Sequence, residues 1–404
     1  MGDTQKHTKP NVPNLRFPGF EGEWEQHLLS EYLDFKNGLN PSAKSFGEGI
    51  KFISVMDILN NPFITYDCIR ASVNATEKEK QEFNVEYGDI LFQRSSETLE
   101  DVGHANVYLD SRTALFGGFT IRGKKKGVYN PLFFKYLLDS PTARKKVIVK
   151  GAGAQHFNIG QEGLSKVVLS FPSIQEQNRI AVFMNLLDQR IAIQNKVIEK
   201  YESLIKAINK RHFKSVREDI SLSSIKLSVI LSERKEYCEN DGTYPHASLS
   251  KEGVDRKSER YDRDFLVRDK EKKYKVTRLN DICYNPANLK FGVITRNKIG
   301  PMVFSPIYIT FEIATNYIPE YIEYYLTNPD FVRYMLKYEQ GTVYERMAVS
   351  PEDFLSERIK VPSLQVQHKH AAIISSINRC LSTERKITYG LLQLKQGILK
   401  QMFI

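Results

Sequence analysis

"FPSIQEQNRIAVFMNLL" occupies Phe171 to Leu187, and 190 positions later the chain writes "VPSLQVQHKHAAIISSI", Val361 to Ile377. The same shift superimposes Pro172 on Pro362, Ser173 on Ser363, Gln175 on Gln365 and Gln177 on Gln367. It goes on without a gap through Ala181 and Ala371, Lys196 and Lys386, Leu204 and Leu394, Lys210 and Lys400, and Phe213 and Phe403. A repeat of this length in one register marks a duplicated structural unit.

The repeated segment reads as helix. Proline followed by serine opens it, and Ser173 with Glu176 spells an S-x-x-E capping box. The second copy keeps Ser363 but has Val366 in place of the acid, so its first turn is expected to fray more easily. Met184, Ile191, Ile198 and Ile205 form one heptad row, and Ile180, Leu187, Gln194, Tyr201 and Ile208 the other. A seam repeating every 3.5 residues belongs to a coiled coil. The second copy offers Ile377, Glu384, Leu391 and Ile398 on one row, and Ile373, Cys380, Ile387 and Leu394 on its partner. At 1.5 Å per residue, residues 173 to 213 make a rod of roughly 60 Å, too long for one small domain. Polar residues interrupt the two seams near their midpoints, at Gln194 and Glu384. In an antiparallel pair those midpoints meet, so these two side chains are expected to fix the register of the helices at some cost in stability.

The blocks before the two helices echo each other. "VEYGDILFQRSS" (Val85 to Ser96) faces "VTRLNDICYNPAN" (Val276 to Asn288), each a turn followed by a buried strand. "YNPLFFKYLLDSP" (Tyr129 to Pro141) faces "NYIPEYIEYYLTNP" (Asn316 to Pro329), each a proline-started helix ending near another proline. Gly151 and Gly341 then coincide at the same shift. The expected class is α+β, with two duplicated domains separated by two long helices that form an antiparallel coiled coil with pseudo-twofold symmetry. The expected boundaries are a polar tail over 1–14, a first domain over 15–170, a long helix over 171–215, a second domain over 216–360 and a final helix over 361–404. A length of 404 residues suits such a multidomain chain.

Composition excludes several function classes. Hydrophobic residues make up 41% and charged residues 26%, without an apolar run near the ~18 residues of a membrane span. The start lacks an apolar leader core, and Lys6 stands where a myristoylation motif needs Ser or Thr, so a cytoplasmic protein is expected. The cysteines, at positions 68, 238, 283 and 380, have neither CxxC nor matching histidine spacing, which argues against structural zinc. "GFTIRGKK" (Gly118 to Lys125) nearly spells a P-loop, but Lys125 occupies the position of the magnesium-binding hydroxyl. "FGEG" (Phe46 to Gly49) and "NNPF" (Asn60 to Phe63) resemble adenine-methyltransferase motifs. They lie too close together for sites that belong on separate strand ends of a doubly wound sheet. Isolated histidines such as His104, His156 and His212 read as surface or packing residues.

A net charge of +10 and a pI near 9.1 point toward a polyanionic partner without settling it. "RGKKKG" sets Arg122, Lys124, Lys125 and Lys126 beside glycines, a pattern suited to phosphate contact, with a solvated turn as the competing reading. "KGAGAQHFNIG" (Lys150 to Gly160) combines small residues with Gln155, His156 and Asn158, whose paired donors and acceptors suit base edges. "QRSS" supplies Gln93, Arg94, Ser95 and Ser96. The corresponding loop of the second block supplies Asn285, Asn288 and Lys290, followed by Arg296 and Lys298 in "ITRNK" and Tyr344 and Arg346 in "GTVYERM". Each loop taken singly reads as surface decoration. Recurrence in two duplicated blocks favours a DNA-reading surface.

"FNIGQEGLSKVVLSFPSIQEQNRIAVFMNLLD" and its echo "VSPEDFLSERIKVPSLQVQHKHAAIISSIN" resemble the domain-to-helix junctions of the DNA-specificity (S) subunits of type I restriction-modification enzymes. The resemblance runs from "NLRFPGFEGEW" at Asn14 to the final helix, and Val366 departs from the family's usual "PxxEQ" wording. It implies two target-recognition domains on double-stranded DNA, each reading one half of a bipartite asymmetric site. It implies that the helices set the unread spacer and dock two methyltransferase (M) subunits, with restriction (R) subunits able to join. It further implies a non-catalytic chain with no cofactor of its own, the S-adenosylmethionine, ATP and Mg belonging to partner subunits. Two other readings stand beside it: a self-contained restriction or modification enzyme, and a coiled-coil scaffold without a DNA role.

Overall fold

The computed structural model describes residues 11–153, 156–239, 242–251, 253–257, 273–339 and 348–404. It divides into two compact units, residues 1–196 with 386–404, and residues 197–385. The long helices span Ile174–Glu218 and Leu364–Met402, so each begins in one unit and ends in the other. Among the described residues no helix is long and apolar enough to cross a membrane.

In the first unit, strand Glu25–Leu28 pairs antiparallel with Val168–Phe171, and the chain leaves the second strand directly into the long helix. One helical turn, Leu29–Tyr32, leads to a four-stranded antiparallel sheet in the order Leu33–Asn37, Thr120–Lys125, Ile90–Gln93, Ala105–Val107. Two proline-started helices, Pro131–Asp139 and Pro141–Ile148, follow it in sequence. Strand Ile90–Gln93 is buried along its whole length, as its unbroken apolar start predicts. A second sheet, in the order Ala71–Val73, Phe46–Ile53, Ala114–Phe116, Asn84–Val85, contains one parallel pair.

The second unit repeats this plan. Strand Ser224–Lys226 pairs with Arg358–Lys360 at the entrance to the C-terminal helix. The turn Leu227–Ile230 follows, and then the sheet Leu231–Glu233, Ile309–Ile313, Ile282–Tyr284, Ile294–Arg296, again antiparallel throughout. Helices Pro319–Leu326 and Pro329–Met335 complete the correspondence. Even the turn before the buried strand is shared. Asp89 N–H donates to Glu86 O and Asp281 N–H to Arg278 O, with Gly88 and Asn280 in the left-handed region at φ 92° and 72°. The units differ in their remaining strands, which in the second unit are Tyr237–Cys238, Tyr274–Thr277 and Met302–Phe304, with a separate ribbon Ala247–Leu249 and Val254–Arg256.

The repeated "PSxQxQ" has a mechanical explanation. Gln177 Oε1 accepts the backbone N–H of Asn130 at 3.0 Å while its Nε2 donates to Pro172 O at 3.0 Å. Gln367 does the same with Ile318 N–H at 3.1 Å and Pro362 O at 2.9 Å. Asn130 and Ile318 are the residues immediately before the proline-started helices. One amide therefore ties the first turn of each long helix to the first turn of the domain helix. The expected capping box is only half formed. Glu176 N–H meets Ser173 Oγ at 3.4 Å, but the Glu176 carboxylate takes the Arg16 guanidinium at 2.7 and 2.8 Å. An arginine satisfies two carboxylate oxygens at once, which a single backbone N–H cannot.

The two long helices pack together within each unit in opposite senses. In the second unit Glu202 pairs with Arg385 at 2.6 Å and Asn209 with His370 at 2.9 Å, so one helix ascends as the other descends. In the first, Ile180, Ala181 and Met184 share a core with Ile398, Leu399, Met402 and Phe403. The phase of the second helix differs from the sequence reading. Ile373, Cys380, Ile387 and Leu394 are exposed, and the buried or half-buried row beside Ile377, Glu384, Leu391 and Ile398 is Ile374, Leu381, Thr388, Lys395 and Met402. Lys395 is accommodated because Asp188 meets it at 2.5 Å. Gln194 is buried and Glu384 half-buried, each near the middle of its helix.

Candidate nucleic-acid interface

In the first unit three segments converge beyond the end of the buried strand. Ser95–Ser96 pairs with Phe157–Asn158 as a two-stranded ribbon, and Ser95 Oγ is hydrogen bonded to Asn158 Oδ1. Ile159 N–H closes on Arg94 O, and Arg94 N–H on Phe119 O. Arg94, Ser95, Ser96, His156 and Asn158 thus gather on one rim, with His156 and Asn158 exposed and Arg94 half-buried. Gln155 lies outside the described residues. Gln93, expected to read bases, is instead 6% exposed, and its Nε2 donates to Ser95 O at 2.9 Å. It shapes the loop that carries its neighbours, while its buried Oε1 has no partner among the described residues.

The basic stretch is a strand and not a loop. Arg122 faces inward at 6% exposure, its Nη1 bonded to both oxygens of Asn84 and its guanidinium 5.3 Å from the Phe116 ring. Burial lowers its affinity for the proton, the expected direction for a cation withdrawn from water. It is a packing residue, contrary to the phosphate role expected of it. Lys124 and Lys126 remain outside, paired with Glu86 at 3.5 Å and Asp34 at 3.1 Å, and Lys125 lies over the Tyr129 ring. Exposed pairs of this kind are worth ~0–1 kcal/mol, so a phosphate can displace the carboxylate at little cost.

The second unit shows the same division. Asn285, at 8% exposure, caps the short helix Pro286–Phe291 by accepting the Ala287 N–H, and so is spent on the backbone. Arg296 is buried between Glu320 at 2.9 Å and Glu323 at 3.0 Å, with Asn280 on its third nitrogen, and neither Asn285 nor Arg296 is presented as expected. Asn288, Lys290 and Lys298 are exposed. Lys290 and Lys298 line a cleft of about 500 Å³ together with Lys251, Arg333 and the side chain of Phe291, which is 64% exposed. Their carboxylate partners are Glu339 at 3.4 Å and Glu323 at 2.6 Å. Tyr344 and Arg346 lie outside the described residues, as does Gly341.

Two exposed residues escaped the sequence reading. Phe119 and Ile307 occupy the tip of the same turn in each unit, at 71% and 59% exposure. Apolar side chains carry no hydrogen-bonding signal, so a search for amides and cations passes over them.

Residues 21–203 match the family described as "Type I restriction modification DNA specificity domain". Among solved structures, the S subunit of a type I restriction-modification system from M. genitalium is 16% identical. The match covers 97% of this chain and 99% of that one, with a TM-score of 0.59. A chain from a structure on complex assembly and conformational transition of the type I R-M system is 13% identical, with 93% and 96% coverage and a TM-score of 0.55. A search of curated proteins finds no match. Residues 21–203 thus carry a type I restriction-modification DNA specificity domain, and nearly the whole chain shares the fold of the solved S subunits.

Proposed function

We propose that this chain is the DNA-reading subunit of a type I restriction-modification complex, each unit contacting one half of a bipartite, asymmetric site. The observation that carries the reading is the duplicated loop end. On one scaffold used twice, Arg94, Ser95, His156 and Asn158 in one unit and Asn288 and Lys290 in the other present different polar groups beyond the end of the same buried strand. A common frame with divergent surface chemistry is what two half-sites of different sequence require.

The long helices set the length of unread DNA between the half-sites and dock the methyltransferase subunits. Support for docking comes from the C-terminal helix, where Val366, Ile373, Cys380, Ile387 and Leu394 recur every seventh residue on the exposed side. Adenine methylation, with its S-adenosylmethionine, and ATP-dependent cleavage with Mg reside in the partner subunits, and this chain supplies no catalytic group. The test is a gel-shift titration of the chain assembled with its methyltransferase subunit, at rising salt. Sequence-specific affinity that falls steeply with salt is expected from the phosphate contacts. Undetectable or salt-insensitive binding contradicts the reading, and methyl transfer by the purified chain alone would make it an enzyme in its own right.

A further inference from the structure

Two of the amides expected on the DNA-reading surface, Gln93 and Asn285, are buried, and they are structural counterparts. In one unit Phe92 pairs with Ile121, and in the other Tyr284 pairs with Ile309. Gln93 and Asn285 each follow the inner strand residue, and Thr120 and Tyr308 each precede the outer one. Immediately before Thr120 and Tyr308 stand Phe119 and Ile307. "FGGFTI" (Phe116 to Ile121) and "FSPIYI" (Phe304 to Ile309) are the same turn written in different residues. Thr120 N–H closes on Gly117 O at 2.9 Å, and Tyr308 N–H on Ser305 O at 3.1 Å.

Backbone hydrogen bonds hold each turn and leave its apolar side chain in water. Phe119 O accepts Arg94 N–H at 2.9 Å, Gly118 N–H donates to Leu39 O at 2.9 Å, and Thr120 Oγ1 adds a second bond to Gly117 O at 2.7 Å. A Cβ on Gly118 would meet the Asn40 carboxamide, so with glycine there the exposed Asn40 side chain packs directly on the turn. In the second unit Pro306 fixes φ at the corresponding position. Two unrelated routes, a crowded glycine and a proline, arrive at one shape with a large apolar group at its apex. An exposed apolar side chain gains little from folding, and its recurrence where the flanking polar residues have diverged points to a task common to both units.

We propose that Phe119 and Ile307 are apolar wedges, each contacting the face of a base at a step that it partly unstacks in its own half-site. The inference rests on the DNA-reading function proposed above. Flanking a wedge with a cation and hydrogen-bonding groups, as Arg94, Ser95 and Asn158 flank Phe119, is the arrangement by which proteins open a base step while holding the backbone. It also accounts for specificity at positions where no amide is presented, because base steps differ in how readily they unstack.

The test uses the chain assembled with its methyltransferase subunits on the duplex identified by methylation profiling, with 2-aminopurine placed in turn at each position outside the methylated adenines. One step per half-site is expected to brighten on binding. Phe119→Ser abolishes the signal in one half, with a roughly tenfold to hundredfold loss of specific affinity, the range of a base–aromatic contact, and Ile307→Ser abolishes it in the other with a smaller loss, because an aliphatic wedge does not stack. Phe119→Trp retains the signal, and the salt slope is unchanged because no phosphate contact is lost. Both positions are exposed, and circular dichroism verifies that the variants fold. A fluorescence pattern unaltered by Phe119→Ser overturns the proposal while leaving DNA reading intact. So does loss of affinity on replacing thymine by uracil without unstacking, which indicates a methyl contact. So does loss of the methyltransferase subunits from the variant complex, which indicates a protein partner. Absence of specific binding by the unaltered complex defeats the underlying function itself.

Discussion

At the residue scale the repeated glutamines are the most informative feature. Sequence shows that Gln177 and Gln367 coincide, but not that each bridges the proline carbonyl before the long helix and an N–H 47 or 49 positions upstream. That partner is non-local, and no spacing rule reaches it. Gln177→Glu keeps an acceptor for Asn130 N–H but turns a carboxylate oxygen on Pro172 O, so it is expected to cost about 1–3 kcal/mol. Gln367→Glu should cost the same, and Gln175→Glu on the exposed side almost nothing, as measured by urea denaturation. A second residue-scale feature was read as surface or packing chemistry and proves to be packing. His212 stacks on His370 with ring centroids 3.9 Å apart, their outer nitrogens held by Tyr321 Oη at 3.1 Å and Asn209 Oδ1 at 2.9 Å. Burial, together with the neighbouring His212, pushes His370 down to about 4, and burial lowers His212 as well. The unfolded chain takes up protons near the ordinary histidine value of ~6.5, before the folded chain does. Stability is therefore full above that pH and falls as the pH drops toward 4. The 190-residue shift places Ile180 where His370 stands. His370→Ile is expected to remove most of a loss on the order of 2 kcal/mol between pH 7 and 4.5 in the same urea assay.

At the scale of elements, period was legible and phase was not. The helices, their seven-residue repeat and the proline-started helices all stand as the apolar spacing and proline positions require. The second helix, however, offers two adjacent heptad rows, and the more apolar one faces out. Sequence reading selects Ile373, Cys380, Ile387 and Leu394 because hydrophobicity is assumed to point inward. The buried row contains Thr388 and Lys395, the latter admitted by Asp188, whose second oxygen also receives the Tyr136 hydroxyl at 2.9 Å. A helix that spends polar residues on its seam and isoleucines on its outside has a second surface to cover. Ile373→Lys with Ile387→Lys is expected to leave the helical circular dichroism and melting temperature nearly unchanged and to abolish co-purification with the methyltransferase subunit. Ile374→Lys, one position along and fully buried, should destabilise the chain by several kcal/mol. Equal loss of folding in both variants would contradict the assigned phase.

At the scale of the whole molecule, duplication was legible because the scaffold is constrained twice by the same contacts, while the loops are free to diverge. The equivalent sheets and the paired strands at the entrance to each long helix stand at corresponding places in the two halves, as the repeated words in the sequence imply. Arg122 and Arg296 show where that reading stopped. Both were taken as surface cations, and both are buried against Asn84 or against Glu320 and Glu323, partners distant in the chain. Duplication also makes function separable. Replacing residues 15–170 by the equivalent block of another specificity subunit should change one half of the methylated site and leave the other half and the spacer intact. The helices offer the complementary operation. The two units divide between Lys196 and Val197 and again between Arg385 and Lys386. Inserting one heptad at each of these points preserves the seam, because seven residues return the helix to the same face. It lengthens each rod by ~10.5 Å, which matches about 3 base pairs at ~3.4 Å each. The expected product methylates the same two half-sites with the spacer increased by about three. Methylation profiling reads the result directly, and a changed half-site with an unchanged spacer would mean that the helices do not measure the DNA.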